Sequence, residues 1–236
     1  MRYVARQPIF DREEKVFGYE LLFRDSLENC FVGDADEASR ATLDRSLVMG
    51  LDVWCDGRRA FVNCTRDTLI KGLVGLLPSI TTVVEILETV PADPDVMAAC
   101  HSLKEQGYLI ALDDYVADDR REPLADIADI IKVDLLLTTQ EEREQLMKQF
   151  GPWRCRMLAE KVETQDQFAQ ARDQGFVYFQ GYFFRRPEMM GTHDMPANRL
   201  NYNGCCRKYR ARNWTYRAWK SWSRKKHRSA TGSCDI

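Results

Sequence analysis

Two strand-like runs near the start of the chain lie too close together to be parallel. "RYVARQPIF" and "VFGYELLF" are separated only by "DREEK". A parallel crossover takes roughly a dozen residues or more, so the two runs must pair antiparallel as a hairpin. Further apolar runs follow: "RAFVN", "TTVVEI", "YLIALDD", "DIIKVD", "RCRMLAE" and "GFVYFQ". Strands that are mostly apolar, rather than alternating, belong to parallel sheets buried on both faces. Helical periodicity is predicted between them at about 37–53, 66–76, 95–106, 140–150 and 165–174. With the first run there are eight strands, the number that closes an α/β barrel. The expected fold is therefore α/β: a TIM-barrel-like (β/α) barrel with an antiparallel first strand, over residues 1–190, followed by a separate segment at 191–236.

Polar residues recur at matching places in this pattern. Glu20, Asn63, Glu85, Asp113, Asp114, Lys132, Glu160 and Gln180 each lie within or just after a strand-like run. In α/β barrels such positions converge on the rim at the carboxyl ends of the strands. So many carboxylates brought together would repel one another unless a cation joined them. Their hard oxygen donors suit Mg²⁺, Mn²⁺ or Ca²⁺ rather than zinc. Adjacent Asp113 and Asp114 could be shared by two ions, as in two-metal attack on a phosphodiester. Lys132 could orient the attacking water or neutralise phosphate charge, and Arg24 suits bidentate contact with a phosphate. Taken singly, each acid also has a plainer reading, as a cap of the next helix or the partner of a lysine.

Composition removes other classes. The chain is 44% apolar and 30% charged, as ordinary globular domains are. It has no apolar run long enough to span a membrane and no secretory leader is expected. Eight cysteines are scattered without a CxxC pair, which fits reduced thiols in the cytoplasm better than disulfides or zinc.

The ordered motifs resemble the EAL domains, bacterial phosphodiesterases that linearise cyclic di-GMP. "YELLFR" resembles the signature of that family, and "RQPIFD", "FVN", "VVEILE", "LDD", "IKVD", "AEKVE" and "QGYFF" follow in its order from about Tyr3 to Pro187. The resemblance implies that Glu20, Asn63, Glu85 and Asp113 hold one Mg²⁺ or Mn²⁺, and that Asp113, Asp114 and Glu160 hold a second. Lys132, Glu160 and Gln180 would serve catalysis, with Gln7 and Arg24 on the nucleotide and Glu88 and Glu163 supporting a loop. The match is closest to the branch in which an HDOD domain follows, many of whose members are degenerate as enzymes. Active relatives carry a glycine-rich loop after the paired aspartates, whereas this chain reads "DDYVADDRREP". The expected function is thus a signalling and binding module with weak or no hydrolysis. An active phosphodiesterase, or a protein–protein scaffold that binds no nucleotide, are the alternatives. Expected partners are cyclic di-GMP and other proteins, with a homodimer admitted and nucleic acid and membrane not expected.

The end of the chain differs in character. From Asn201 onward there are ten Lys or Arg and one acid, leaving 24 basic and 35 acidic residues in positions 1–200. Three readings stand: a frameshifted remnant of the start of an HDOD domain, a disordered basic tail, or a nucleic-acid arm. The first rests on Trp214, Trp219 and Trp222, whose codons in a neighbouring frame can read as leucine within an amphipathic helical text.

Overall fold

The computed structural model describes residues 3–24, 51–184 and 188–190. The expectations for residues 191–236, and most of the helix predicted at 37–53, lie outside them. Strands β1 (Tyr3–Phe10) and β2 (Val16–Arg24) form the antiparallel hairpin, with Gln7 opposite Glu20. Asp11 closes the turn: its carboxylate accepts the amides of Glu13 and Lys15 at 3.0 and 2.9 Å. This side-chain mimic of a backbone turn explains why five residues suffice.

From β2 the sheet runs parallel through β3 (Arg59–Cys64), β4 (Thr82–Ile86), β5 (Leu109–Leu112), β6 (Ile130–Asp134), β7 (Arg156–Glu160) and β8 (Tyr178–Phe179). It closes where Phe179 of β8 meets Phe10 of β1 antiparallel. The result is an eight-strand barrel whose first strand alone runs against its neighbours. A short strand that the sequence did not announce, β9 (Glu188–Met190), also pairs with β1, at Val4–Arg6.

Helices follow the predicted plan with local departures. Helix α1 (Leu51–Trp54) is the described end of the first. The stretch predicted at 66–76 is α2 (Arg66–Ile70) and then a 3₁₀ turn over Leu73–Leu76, divided at Gly72, whose φ is 63°. Helix α3 (Pro94–Glu105) starts at Asp93, which accepts the amides of Asp95 and Val96. A short helix, α4 (Glu122–Ala125), begins at the last two residues of "DDRREP". Helix α5 (Gln140–Arg154) extends past its predicted end through a break at Gly151, and α6 (Gln165–Gln174) has its predicted bounds. Thr139 and Thr164 start these two with capping boxes, their N3 partners being Glu142 and Gln167.

The inner packing positions the site. Ile9, Phe61, Val83, Ala111, Ile130, Leu158 and Tyr178, one from each strand but β2, form a single buried layer inside the barrel. Phe17 of β2 completes it, its ring stacked on Tyr178 at 4.1 Å between centroids. Side chains two apart on a strand share a face. Two residues beyond this layer therefore stand Asn63, Glu85, Asp113, Lys132, Glu160 and Gln180. Because β1 runs the other way, Gln7 reaches the same level two residues before Ile9.

Candidate metal and phosphate site

The apolar layer is thus the floor of a polar one. Glu85 and Lys132 are fully enclosed, and Gln180, Glu20 and Glu160 are buried as well. The Lys132 ammonium sits among the carboxylates. It pairs with Glu85, with Asp113 at 2.7 Å, with Glu160 at 2.9 Å and with Glu20 at 3.8 Å. Glu20 is fixed in turn by the Gln180 amide, which donates to it at 2.6 Å, and by that of Asn63 at 3.5 Å. The plainer reading of the acids, as lysine partners, is therefore satisfied in part. Among the described residues four carboxylates nonetheless face one ammonium, an excess of three formal negative charges.

That excess shows in the protonation of the cluster. Burial pushes the Glu160 carboxyl up to about 8, against the pull of Lys132 and with the charges of Asp113 and Glu20 adding to the rise. Burial likewise moves Glu85 well above its ordinary range. Asp113 goes the other way: burial opposes its ionisation, but the charge and hydrogen bond of Lys132 prevail and hold its carboxyl low. Desolvation and the adjacent Asp113 raise Asp114. Lys132 stays charged, because its carboxylate neighbours together outweigh the desolvation of its ammonium.

The donor set fits a divalent cation. Glu85 Oε2, Glu160 Oε2 and Gln180 Oε1 are buried acceptors that find no donor among the described residues. Buried acceptors are ordinarily satisfied. Three orphaned oxygens beside surplus negative charge are what a hard cation would complete. A second grouping lies at the rim, where carboxylate oxygens of Glu88, Asp113 and Asp114 fall within 4.8 Å of one another. Beside the ring opens a cavity of about 270 Å³, lined among others by Gln7, Glu20, Glu160, Lys161, Glu163 and Gln180.

The structure thus gathers Glu20, Asn63, Glu85, Asp113, Lys132, Glu160 and Gln180, with Asp114 and Glu88 alongside and Gln7 and Glu163 on the cavity wall. Arg24 ends β2, but its side chain lies outside the described ones. Two participants went unrecognised in the sequence. Lys161 lines the cavity with its backbone at φ 55°, and its ammonium pairs with the buried Asp134. Asp134 also accepts the amides of Leu136 and Leu137 at 2.7 and 3.3 Å. Nothing in "AEKVE" marks a left-handed lysine. In the loop after Asp114, Asp119 turns inward and pairs with Arg121 at 2.7 Å.

Comparison with known proteins gives consistent results. The EAL domain family model matches residues 74–187. The chain is 39% identical over 207 residues to the YuxH protein of Bacillus subtilis, covering 85% of this chain and 51% of that protein. It is 40% identical over 193 residues to CdgJ of Vibrio cholerae, a cyclic di-GMP phosphodiesterase, covering 80% of this chain and 45% of that one. The chain thus spans about half the length of these curated relatives. The solved structure of Bacillus subtilis YkuI, which has an EAL domain and holds cyclic di-GMP and calcium, superposes with a TM-score of 0.59 at 23% identity. That match covers 80% of this chain and 55% of YkuI, and it bears on the fold alone.

Proposed function

Because the chain carries an EAL domain, we propose that it binds cyclic di-GMP and hydrolyses one of its phosphodiester bonds to the linear dinucleotide pGpG, using Mg²⁺ or Mn²⁺. The observation that carries this reading is the ring itself. Four carboxylates, an asparagine, a lysine and a glutamine from seven strands meet in one layer and leave buried oxygens unsatisfied. Glu20, Asn63, Glu85 and Asp113 would hold one ion, and Asp113, Asp114 and Glu160 a second. Ions so held would activate a water and neutralise the phosphoryl oxygens.

The side chains supply the rest. Lys132 keeps its proton and can donate to the attacking water or to the developing phosphate charge. Gln180 and Asn63 hold the Glu20 carboxylate in one orientation. Glu160 must lose its proton to act as a ligand or base, which the arrival of positive charge would favour. Gln7 and Lys161 present polar groups to a nucleotide in the adjoining cavity. Placement in the cytoplasm is part of this proposal, supported by the thiols of Cys64 and Cys100, which are buried and form no disulfide. Among the described residues no helix is long and apolar enough to cross a membrane.

A second reading, a regulatory module that binds cyclic di-GMP with weak or no turnover, is favoured by the loop after the paired aspartates. That loop has no glycine, yet Asp114 and Asp118 hold φ of 43° and 63°. Backbone there is costly for residues with a Cβ. An error of about 1 Å in the positions it sets can cost roughly a hundredfold in rate. The deciding experiment incubates the full chain with cyclic di-GMP and Mn²⁺ beside a Glu20→Ala control. Linear product that the control abolishes supports hydrolysis; calorimetric binding without product supports the regulatory reading. Absence of binding with and without the ion refutes both and leaves a protein–protein scaffold. Membership of the branch in which an HDOD domain follows belongs to this proposal too, suggested by the match of "ARQPIFDREEKVFGYELLFR" and "LAEKVET" to that branch.

A further inference from the structure

Arg121 is an arginine in a loop, yet its side chain is only 4% exposed. Each of the three nitrogens of its guanidinium has an acceptor. Nε and Nη2 grip the Asp119 carboxylate as a fork, at 3.0 and 2.7 Å. Nη2 also donates to the carbonyl of Asp113 at 2.8 Å and approaches that of Asp114 at 3.5 Å. Nη1 donates to the carbonyl of Ile86 at 3.4 Å. The cation lies over the Tyr115 ring, 5.6 Å from its centroid.

These acceptors are not scattered. Ile86 ends β4 one residue after Glu85, and its carbonyl also accepts the amide of Asp113 at 2.9 Å. Tyr115, just past the paired aspartates, donates its amide to the carbonyl of Lys132 at 2.9 Å. The segment 113–115 is therefore stitched to β4 on one side and β6 on the other, and Arg121 ties its carbonyls to the first of these. Asp114 needs such a tie, since its left-handed backbone is disfavoured for a residue with a Cβ.

We infer that Arg121, oriented by Asp119, is a positioning residue that clamps the backbone of Asp113 and Asp114 so that their carboxylates face the metal site. It touches no substrate, and its effect passes through the two aspartates. The inference rests on the metal-site reading above. It also gives the acid-rich loop a role of its own: Asp119 aims the fork, and the fork sets the aspartates. Lysine cannot substitute, because a single ammonium has no planar fork to span a carboxylate and two carbonyls together.

The test uses the full chain and two readouts. The first is Mn²⁺ affinity, from the paramagnetic resonance of the free ion; the second is amide hydrogen exchange at Asp113 and Tyr115. Arg121→Lys is expected to weaken Mn²⁺ binding at least about tenfold, the range typical of groups that orient metal ligands. It should also speed exchange at these two amides without a matching change elsewhere in the barrel. Asp119→Asn should move both readouts in the same direction, and it serves in place of Arg121→Lys if that variant melts below the assay temperature. Arg120→Gln, at an exposed neighbour that carries the same charge, should move neither. A lowered melting midpoint with wild-type Mn²⁺ affinity and unchanged local exchange would overturn the inference and leave Arg121 a purely structural group. A wild-type chain that binds no Mn²⁺ would instead overturn the metal-site reading. Exchange then decides the clamp alone: unchanged rates at Asp113 and Tyr115 in Arg121→Lys refute it, and faster rates confined to that segment uphold it.

Discussion

Replacing Lys132 by methionine removes the ammonium that sits among the ring's carboxylates while keeping most of its volume. Lys132 is enclosed and pairs with Glu20, Glu85, Asp113 and Glu160. Removing one partner from a buried ion pair costs about 3–5 kcal/mol, because the remaining charge has nothing to meet it. For a chain of this size each kcal/mol lowers the melting midpoint by about 2–4 °C, so Lys132→Met should fall by roughly 6–20 °C. Conditions should modulate the loss in a definite direction. Glu85 and Glu160 already lie above their ordinary range, chiefly through burial, and without Lys132 they rise further. At pH 5.5 Glu160 is neutral and the deficit narrows; at pH 8, where the wild-type Glu160 is part-ionised, it is largest. Saturating Mn²⁺ should also narrow it by supplying the missing positive charge. Differential scanning calorimetry of wild type and variant at both pH values, with and without Mn²⁺, measures all of this. A drop of less than about 3 °C at pH 8 without the ion, set against the range above, would refute the view that Lys132 neutralises the cluster.

Three further outcomes are expected. Mn²⁺ affinity should rise as pH climbs toward 8, because Glu160 holds a proton to about 8 and metal must displace it; calorimetric affinities flat between pH 6 and pH 8.5 would remove Glu160 from the ligand set. Without added metal, stability should fall as pH rises from 4.5 to about 8, since in that window the folded Glu160 binds a proton that the unfolded chain releases. Urea titrations at the two ends of the window check the sign. Gly181→Ala should destabilise the barrel by about 1–3 kcal/mol or more, the usual cost of overpacking. The added Cβ would lie 2.1 Å from the Val162 carbonyl oxygen, and a denaturant midpoint equal to wild type would show that the strand end yields freely.

The architecture was legible because it is written in local terms. A five-residue link forces a hairpin, apolar runs buried on both faces mark parallel strands, and the two-residue period of a strand carries Asn63, Glu85, Asp113, Lys132, Glu160 and Gln180 onto the face of the core residue before each. That is why Glu85 could be placed from "VVEI" and Lys132 from "IKVD" without coordinates. The capped helix α6 was equally plain, whereas β9 was not, since three residues in isolation have no period. What the tertiary structure decided is where the charges point once the strands are side by side. Lys132 meets partners 19 and 47 residues away, and Arg121 reaches across 35 residues to Ile86. Read as a string, "DDYVADDRREP" is a glycine-free, acid-rich loop that ought to disturb the site. Folded, one of its acids turns inward and one of its arginines grips the backbone of the paired aspartates. Charge and hydrogen bonding depend on distances between segments remote in sequence, and only the closed barrel sets those distances.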